Sequence, residues 1–310
     1  MDKFLSIFDI SIIAATIRMS TPLILGGIGA VFSERSGILN LGIEGTMLMG
    51  AFAAAVTSFF TGSAWLGVLG GALAGGLIGL LHVFMCTKFK ANQTVIGTGI
   101  NILAMGIPPL ILAAIWGNPG STPAVPTLKP ITIPGLVDIP VIGEIIGNNN
   151  PLTYLAFILV PVSSFFLFKT KTGLRIRAVG ENPLAADTVG VNVFGIQYMC
   201  VTLCGVLAGI AGSYLSICQV SMFVKGMTNG RGFMAMAAMI FGKWKPVGVM
   251  LASLLFGFTD SIQMSVQTAG IGIPTDILLC LPYIITIVVL AGFIGKAVGP
   301  KHVGKPYIKL

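Results

Sequence analysis

Four polar side chains, Glu34, Arg35, Asn40 and Glu44, fall close together between apolar stretches, with glycines at positions 37, 42 and 45. Asn101 sits inside an apolar segment and Asn229 in a glycine-rich one. Amides in such places can exchange hydrogen bonds with a neutral polar solute, or with backbone groups freed where a helix is broken. Both readings stand for Asn40, Asn101 and Asn229. Met47, Met49, Met234 and Met236 lie nearby in sequence and would supply an adaptable apolar wall. Glu44 could carry a proton coupled to transport, or pair with Arg35 to hold a break. No Ser/His/Asp, paired-carboxylate or metal-ligand pattern occurs in the polar segments, which argues against catalysis. Cys200 and Cys204 share a helix face without a histidine, and His82 stands alone, so both read as structural.

The elements that must position these groups are membrane helices. The chain of 310 residues is 55% apolar and 9% charged, with a mean hydropathy of +0.95. A soluble domain would be about a quarter charged. Several apolar runs reach the ~20 residues that a helix needs to cross a bilayer. The expectation is an all-α polytopic membrane protein with about eight to ten transmembrane helices. It would form one domain over 1–310, with pseudo-repeated halves near 1–150 and 151–310 and broken or re-entrant segments. The net charge of +8 fits basic cytoplasmic loops amid membrane lipid, rather than a nucleic-acid partner. Asp9 interrupts the first apolar run, so it does not read as a cleaved signal.

In chain order, spans are expected near 10–32, 66–89, 94–116, 152–168, 194–217, 246–263 and 277–293. Arg18 lies inside the first and should face the bundle or snorkel. Residues 32–55 are too polar and too tightly spaced for an ordinary loop and span, and read as discontinuous. Residues 223–244 read as a second interruption. Gly37-Ile-Leu-Asn40 parallels Gly226-Met-Thr-Asn229, and both lead into Met/Ala-rich stretches. The seventeen prolines also hint at broken helices. Gly71 with Gly75 gives a close-packing spacing in the second of these spans. Asp260 and Asp276, near span ends, read as interface-facing. With the basic loops 88–93 and 169–193 inside, 61–65 and 117–151 fall outside, as does the start of the first span if every run crosses fully.

The longest charged interruption, residues 169–193, has local structure of its own. Lys169, Lys171, Arg175 and Arg177 precede Glu181-Asn182-Pro183. Asn182 can cap a helix, and Pro183 suits its first position because the missing N–H is not needed there. Gly190 fits just beyond the end. The result is a short surface helix of about two turns, with Leu184, Ala185 and Val189 as an apolar knob. It can insert into a groove on a partner or lie on lipid.

The stretches SERSGILNLGIEG, NQTVIGTGIN, GLRIRAVGENPLAA and GMTNGRGF resemble the permease family of ATP-binding-cassette importers that serves simple sugars, nucleosides and branched-chain amino acids. The likeness covers about residues 15–295, and the first motif is closest to the nucleoside branch. It implies a multi-pass subunit of the bacterial plasma membrane that lines a pathway with a second permease, identical or not. A cytoplasmic ATPase subunit, using ATP and Mg2+ that this chain would not bind, would dock on Arg175, Arg177, Glu181, Asn182, Pro183, Leu184, Ala185 and Ala186. An extracytoplasmic lipoprotein would deliver substrate. The chain has no G-x-x-x-x-G-K-[ST] sequence of its own. The pathway candidates are then Asn40, Glu44, Asn101, Asn229, Met47 and Met234, since a nucleoside asks for amides and an apolar wall. The competing reading is a secondary transporter or facilitator working alone; a third is a scaffold without a pathway.

Overall fold

The computed structural model describes residues 10–132, 147–268, 284 and 298–309. Helix α1 spans Ile10–Arg35, α2 Ile43–Thr61, α3 Ala64–Lys88 and α4 Gln93–Trp116. A two-stranded ribbon follows, β1 Ile131–Thr132 and β2 Asn148–Asn149, paired antiparallel with Ile131 opposite Asn149. Then come α5 Pro151–Lys169, α6 Lys171–Glu181, α7 Pro183–Thr188 and α8 Val193–Ser213, which runs on as a wider π turn over Tyr214–Val220. Helix α9 is Arg231–Phe241 and α10 is Pro246–Thr268.

Among the described residues seven helices are long and apolar enough to cross a membrane, and α9 is a shorter apolar one. The chain is thus an all-α polytopic membrane protein. The span expected at 277–293, with Asp276 and Cys280, lies outside the described residues except for residue 284.

The bundle is closed by small residues. Gly75 of α3 faces Gly205 and Gly209 of α8 so closely that a Cβ on any of the three would overlap the opposite backbone, and a Cβ on Gly71 would overlap Ser213 Oγ of α8 and the Gly50 carbonyl of α2. Gly50 of α2 meets Gly209 in the same way. With no hydrophobic force between helices in lipid, this close backbone approach is what holds them. Leu69, Leu73, Leu77 and Leu80 of α3 are exposed and form its lipid-facing side. Pro22, Pro108, Pro109 and Pro161 lie inside continuous helices. The breaks therefore fall at glycines and not at the prolines that had hinted at them. Gly37 and Gly226 both have positive φ, 90° and 71°, where a side chain would be strained.

One end of the bundle gathers Lys88, Lys90, Lys169, Lys171, Arg175, Lys243, Lys245 and the 298–309 segment. The positive-inside rule makes it cytoplasmic. The other end holds the 62–64 turn and the 117–128 stretch, where Thr122 N–H donates to the Phe223 carbonyl (3.0 Å) and Ser58 Oγ to that of Pro126 (3.0 Å). Phe59, Phe60 and Trp116 cluster there with centroids 5.3–6.0 Å apart, Phe60 stacked on Trp116 and Phe59 edge-on to both, and Trp is enriched at membrane interfaces. Helix α1 runs unbroken from this outer end to Arg35, so its start lies outside.

Candidate functional site

The first break, residues 36–42, joins α1 to α2 inside the bundle. Gly37 packs beside Gly180 at the cytoplasmic end, while Leu41 reaches Asn101, about 12 Å up α4 from Gln93 by helical rise. Several freed backbone groups meet side chains. Ser33 Oγ donates to the Ile38 carbonyl (2.8 Å). Gln93 Oε1 accepts from Leu39 N–H (2.7 Å), and His82 Nε2 lies 3.1 Å from the Leu39 carbonyl. Asn40 Oδ1 accepts from Gly42 N–H (3.0 Å). Asn101 spans the gap, donating to the Leu41 carbonyl (3.0 Å) and accepting from Gly45 N–H (2.8 Å). A buried backbone group without a partner would cost about 1–3 kcal/mol, so these side chains are what permits an irregular backbone at this depth.

The break is sealed. Asn40 is 3% exposed, with its Nδ2 3.7 Å from Cys204 Sγ. Met47 is fully buried. Neither can line an open pathway in this conformation, because neighbouring helices cover both. Asn101 is half-buried, but both ends of its amide are committed to backbone.

The second break, residues 221–230, descends from the outer end. Lys225 N–H donates to the Gly120 carbonyl (2.8 Å), yet five residues on the chain reaches Glu44. Glu44 accepts from Gly230 N–H (2.9 Å) and Gly232 N–H (2.6 Å). The carboxylate of α2's first turn therefore caps the N-terminus of α9, where free amides and the helix dipole favour negative charge. Gly232 is packed so tightly on Glu44 that a Cβ would overlap its backbone. The expected Glu44–Arg35 pair is not formed. Arg35 lies over the Phe168 ring (5.6 Å) and donates twice to the Trp244 carbonyl, each at 3.2 Å. It is Glu34 that holds this end, accepting from Trp244 Nε1 at 2.6 Å. The break separates the two acids, Glu34 closing α1 and Glu44 opening α2, and each reaches a different end of α9.

Asn229, by contrast, is exposed and sits at φ 43°, a conformation asparagine tolerates better than most residues. Met234 and Met49 are half-buried, and Met236 is 7% exposed. Beyond the expected pathway residues, the structure links further polar groups. Arg231 opens α9 and lies within electrostatic reach of Asp260 on α10. Gln219 Nε2 donates to the Arg18 carbonyl (3.5 Å). Arg18 is exposed, and two residues on, Ser20 meets Gly257, one turn before Asp260. Arg231 falls inside GMTNGRGF; a charge opening a broken helix was the signal available.

At the cytoplasmic end α7 forms as its residues dictate. Asn182 Oδ1 accepts from Ala185 N–H (3.1 Å), Pro183 takes the first position, and Gly190 follows at φ 80°. Leu184 and Val189 are 44% and 77% exposed, and Ala185, Glu181 and Arg175 are exposed too. Pro183 and Ala186 are not on this face. Both are buried, and Ala186, 4% exposed, clusters with Val179, Val193 and Tyr307. A six-residue helix must turn every third or fourth residue inward to pack at all. Arg177 is half-buried against the Phe168 ring, 5.2 Å away. Helix α6 was not expected; Gly173, Ile176 and Val179 form its buried stripe beneath the basic residues.

The chain is similar from end to end to characterised transport proteins. It is 42% identical over 307 residues, 96% of each chain, to the guanosine ABC transporter permease protein NupQ of Bacillus subtilis. It has the same identity and coverage against the nucleoside ABC transporter permease protein NupC of Lactococcus lactis. It is 37% identical over 266 residues, 86% of this chain and 80% of the other, to TsgC13 of Haloferax volcanii, an ABC transporter permease protein provisionally assigned to glucose. No solved structure matches it. Residues 12–291 match the family model described as the permease component of the branched-chain amino acid transport system. On that match the chain belongs to this permease family.

Proposed function

We propose that this permease carries nucleosides inward, as one of two membrane subunits of an importer driven by a separate ATPase. The observation that supports the substrate is the full-length likeness to two permeases named for nucleosides. Asn229, Arg231, Asp260, Gln219 and Arg18 line the pathway side of the subunit. Charged groups at membrane depth are costly against lipid, so an open face that carries them belongs to water or to a partner. Mixed donors and acceptors suit a neutral ligand with a ribose and a flat base. The exposed face of α7, with Leu184, Ala185, Val189, Glu181, Asn182 and Arg175, receives the ATPase. That subunit binds ATP and Mg2+, and an extracytoplasmic lipoprotein presents the nucleoside. TsgC13 supports a second reading, simple sugars.

The test is reconstitution of this chain with its second permease, ATPase and lipoprotein in proteoliposomes. ATP-dependent uptake of labelled guanosine, uncompeted by glucose, is expected. Uptake by this chain alone without ATP would make it a facilitator, and competition by glucose would move it to sugars. Ala185→Glu should abolish ATPase co-purification while leaving membrane insertion intact.

A further inference from the structure

The 298–309 segment is polar and has no helix or strand, yet it touches α6, α7, α8, Trp244 and the first break. Tyr307 is 5% exposed and packs behind α7 with Val179, Ala186 and Val193, its ring 5.2 Å from that of Phe194. Lys309 Nζ lies 3.8 Å from Asp187 Oδ1 on α7, the one ion pair among the described residues. A cavity of about 430 Å3 between them is lined by Asp187, Asn192, Phe194, Tyr307 and Lys309. At its other end Gly299 fits against the Trp244 indole so closely that a Cβ would not fit. His302 N–H donates to the Gly180 carbonyl (3.0 Å), and its ring faces Gly37. Burial, reinforced by Lys305, holds the His302 pKa below the ordinary 6.5, which favours the neutral ring.

The middle of the segment reaches the first break through one residue. Gln93 Nε2 donates to the Lys305 carbonyl (3.4 Å), while its Oε1 accepts from Leu39 N–H (2.7 Å). A single buried amide thus bridges the segment and the broken backbone. Among the described residues helix α7, six residues long, packs chiefly on α6, α8 and this segment.

We infer that residues 298–309 are a strap that positions α7 against the first break, with Tyr307 and Gln93 as its two positioning residues. Motion imposed on α7 is delivered to Leu39 and hence to the start of α2, where Glu44 holds α9. The inference rests on the reading of α7 as the ATPase-docking helix. Packed elements with few alternative arrangements transmit such shifts well. The strap adds a second connection beside the direct contact of Gly180 with Gly37 and Arg35.

The experiment measures guanosine imported per ATP hydrolysed in the reconstituted importer. Co-purification of the ATPase is scored separately. For Tyr307→Ala we expect the ATPase to remain bound and hydrolysis to persist, while uptake per ATP falls about threefold to tenfold. Tyr307→Phe, which keeps the ring, should restore the ratio. Gln93→Leu should lower it in the same way. An unchanged ratio for Tyr307→Ala overturns the inference, as does loss of the ATPase from that variant, which would make Tyr307 part of docking alone. Failure of the ATPase to bind the unaltered chain would instead overturn the docking reading. Should Tyr307→Ala not reach the membrane, Tyr307→Leu keeps apolar volume without the ring, and the same two outcomes decide.

Discussion

The two breaks begin alike and end differently. Gly37 and Gly226 both turn the chain with positive φ, each is followed three residues later by an asparagine, and each leads into a helix opened by a glycine at its cap. In the first, the asparagine is buried and bonded to the backbone two residues on. In the second it is exposed, two residues before Arg231, which lies within electrostatic reach of Asp260. The difference is not in the motif but in what surrounds it. The first break is covered by α3, α4 and α8, which send in His82, Gln93, Asn101 and Cys204. The second has Glu44 at one end, and among the described residues no side chain bonds to that of Asn229. A broken helix can therefore serve as a sealed joint or as an open wall, and here the two uses are linked through Glu44.

The largest expected effect comes from striking that link. Gly232→Val places a side chain into the Glu44 backbone, and we expect about 4 kcal/mol or more of destabilisation, read as loss of folded protein by size-exclusion chromatography in detergent. A stable, active Gly232→Val would show that the two breaks do not depend on each other. Next is Asn101→Leu, which strands the Leu41 carbonyl and the Gly45 amide. About 2–4 kcal/mol should be lost, seen as a lower Tm, with the KM for guanosine unchanged in protein that does fold. A raised KM at normal Tm would move Asn101 from the joint to the wall. The smallest effect on stability belongs to Asn229→Gly. Glycine accepts the positive φ freely, so stability should hold to within about 1 kcal/mol. Guanosine uptake should nevertheless fall several-fold, and full uptake would remove Asn229 from the wall.

Much of this was legible in sequence where local rules decide. Asn182, Pro183 and Gly190 specify the start and end of α7 within nine residues, and the structure follows them. The break at 36–42 was visible because glycines and charges cannot continue an apolar helix. What stayed hidden depends on residues far apart. The burial of Asn40 is set by Cys204, 164 positions away, and the role of Glu44 by Gly230 and Gly232, 186 and 188 positions away. Nothing local distinguishes Glu34 from Glu44. The 298–309 segment carries too few apolar residues to show a pattern, and its one buried ring, Tyr307, gains meaning only from Phe194 and Val179. Helix α6 was masked by its own lysines and arginines.

The comparison of the two breaks is tested most directly by thiol accessibility. Asn40→Cys and Asn229→Cys would be placed separately in a chain whose five native cysteines are replaced, assembled with the second permease and ATPase, and exposed to a water-soluble maleimide. We predict rapid labelling at position 229, slowed by guanosine, and little or none at position 40. Equal labelling at the two positions, with no protection by guanosine, would contradict the assignment of one break to the joint and the other to the pathway.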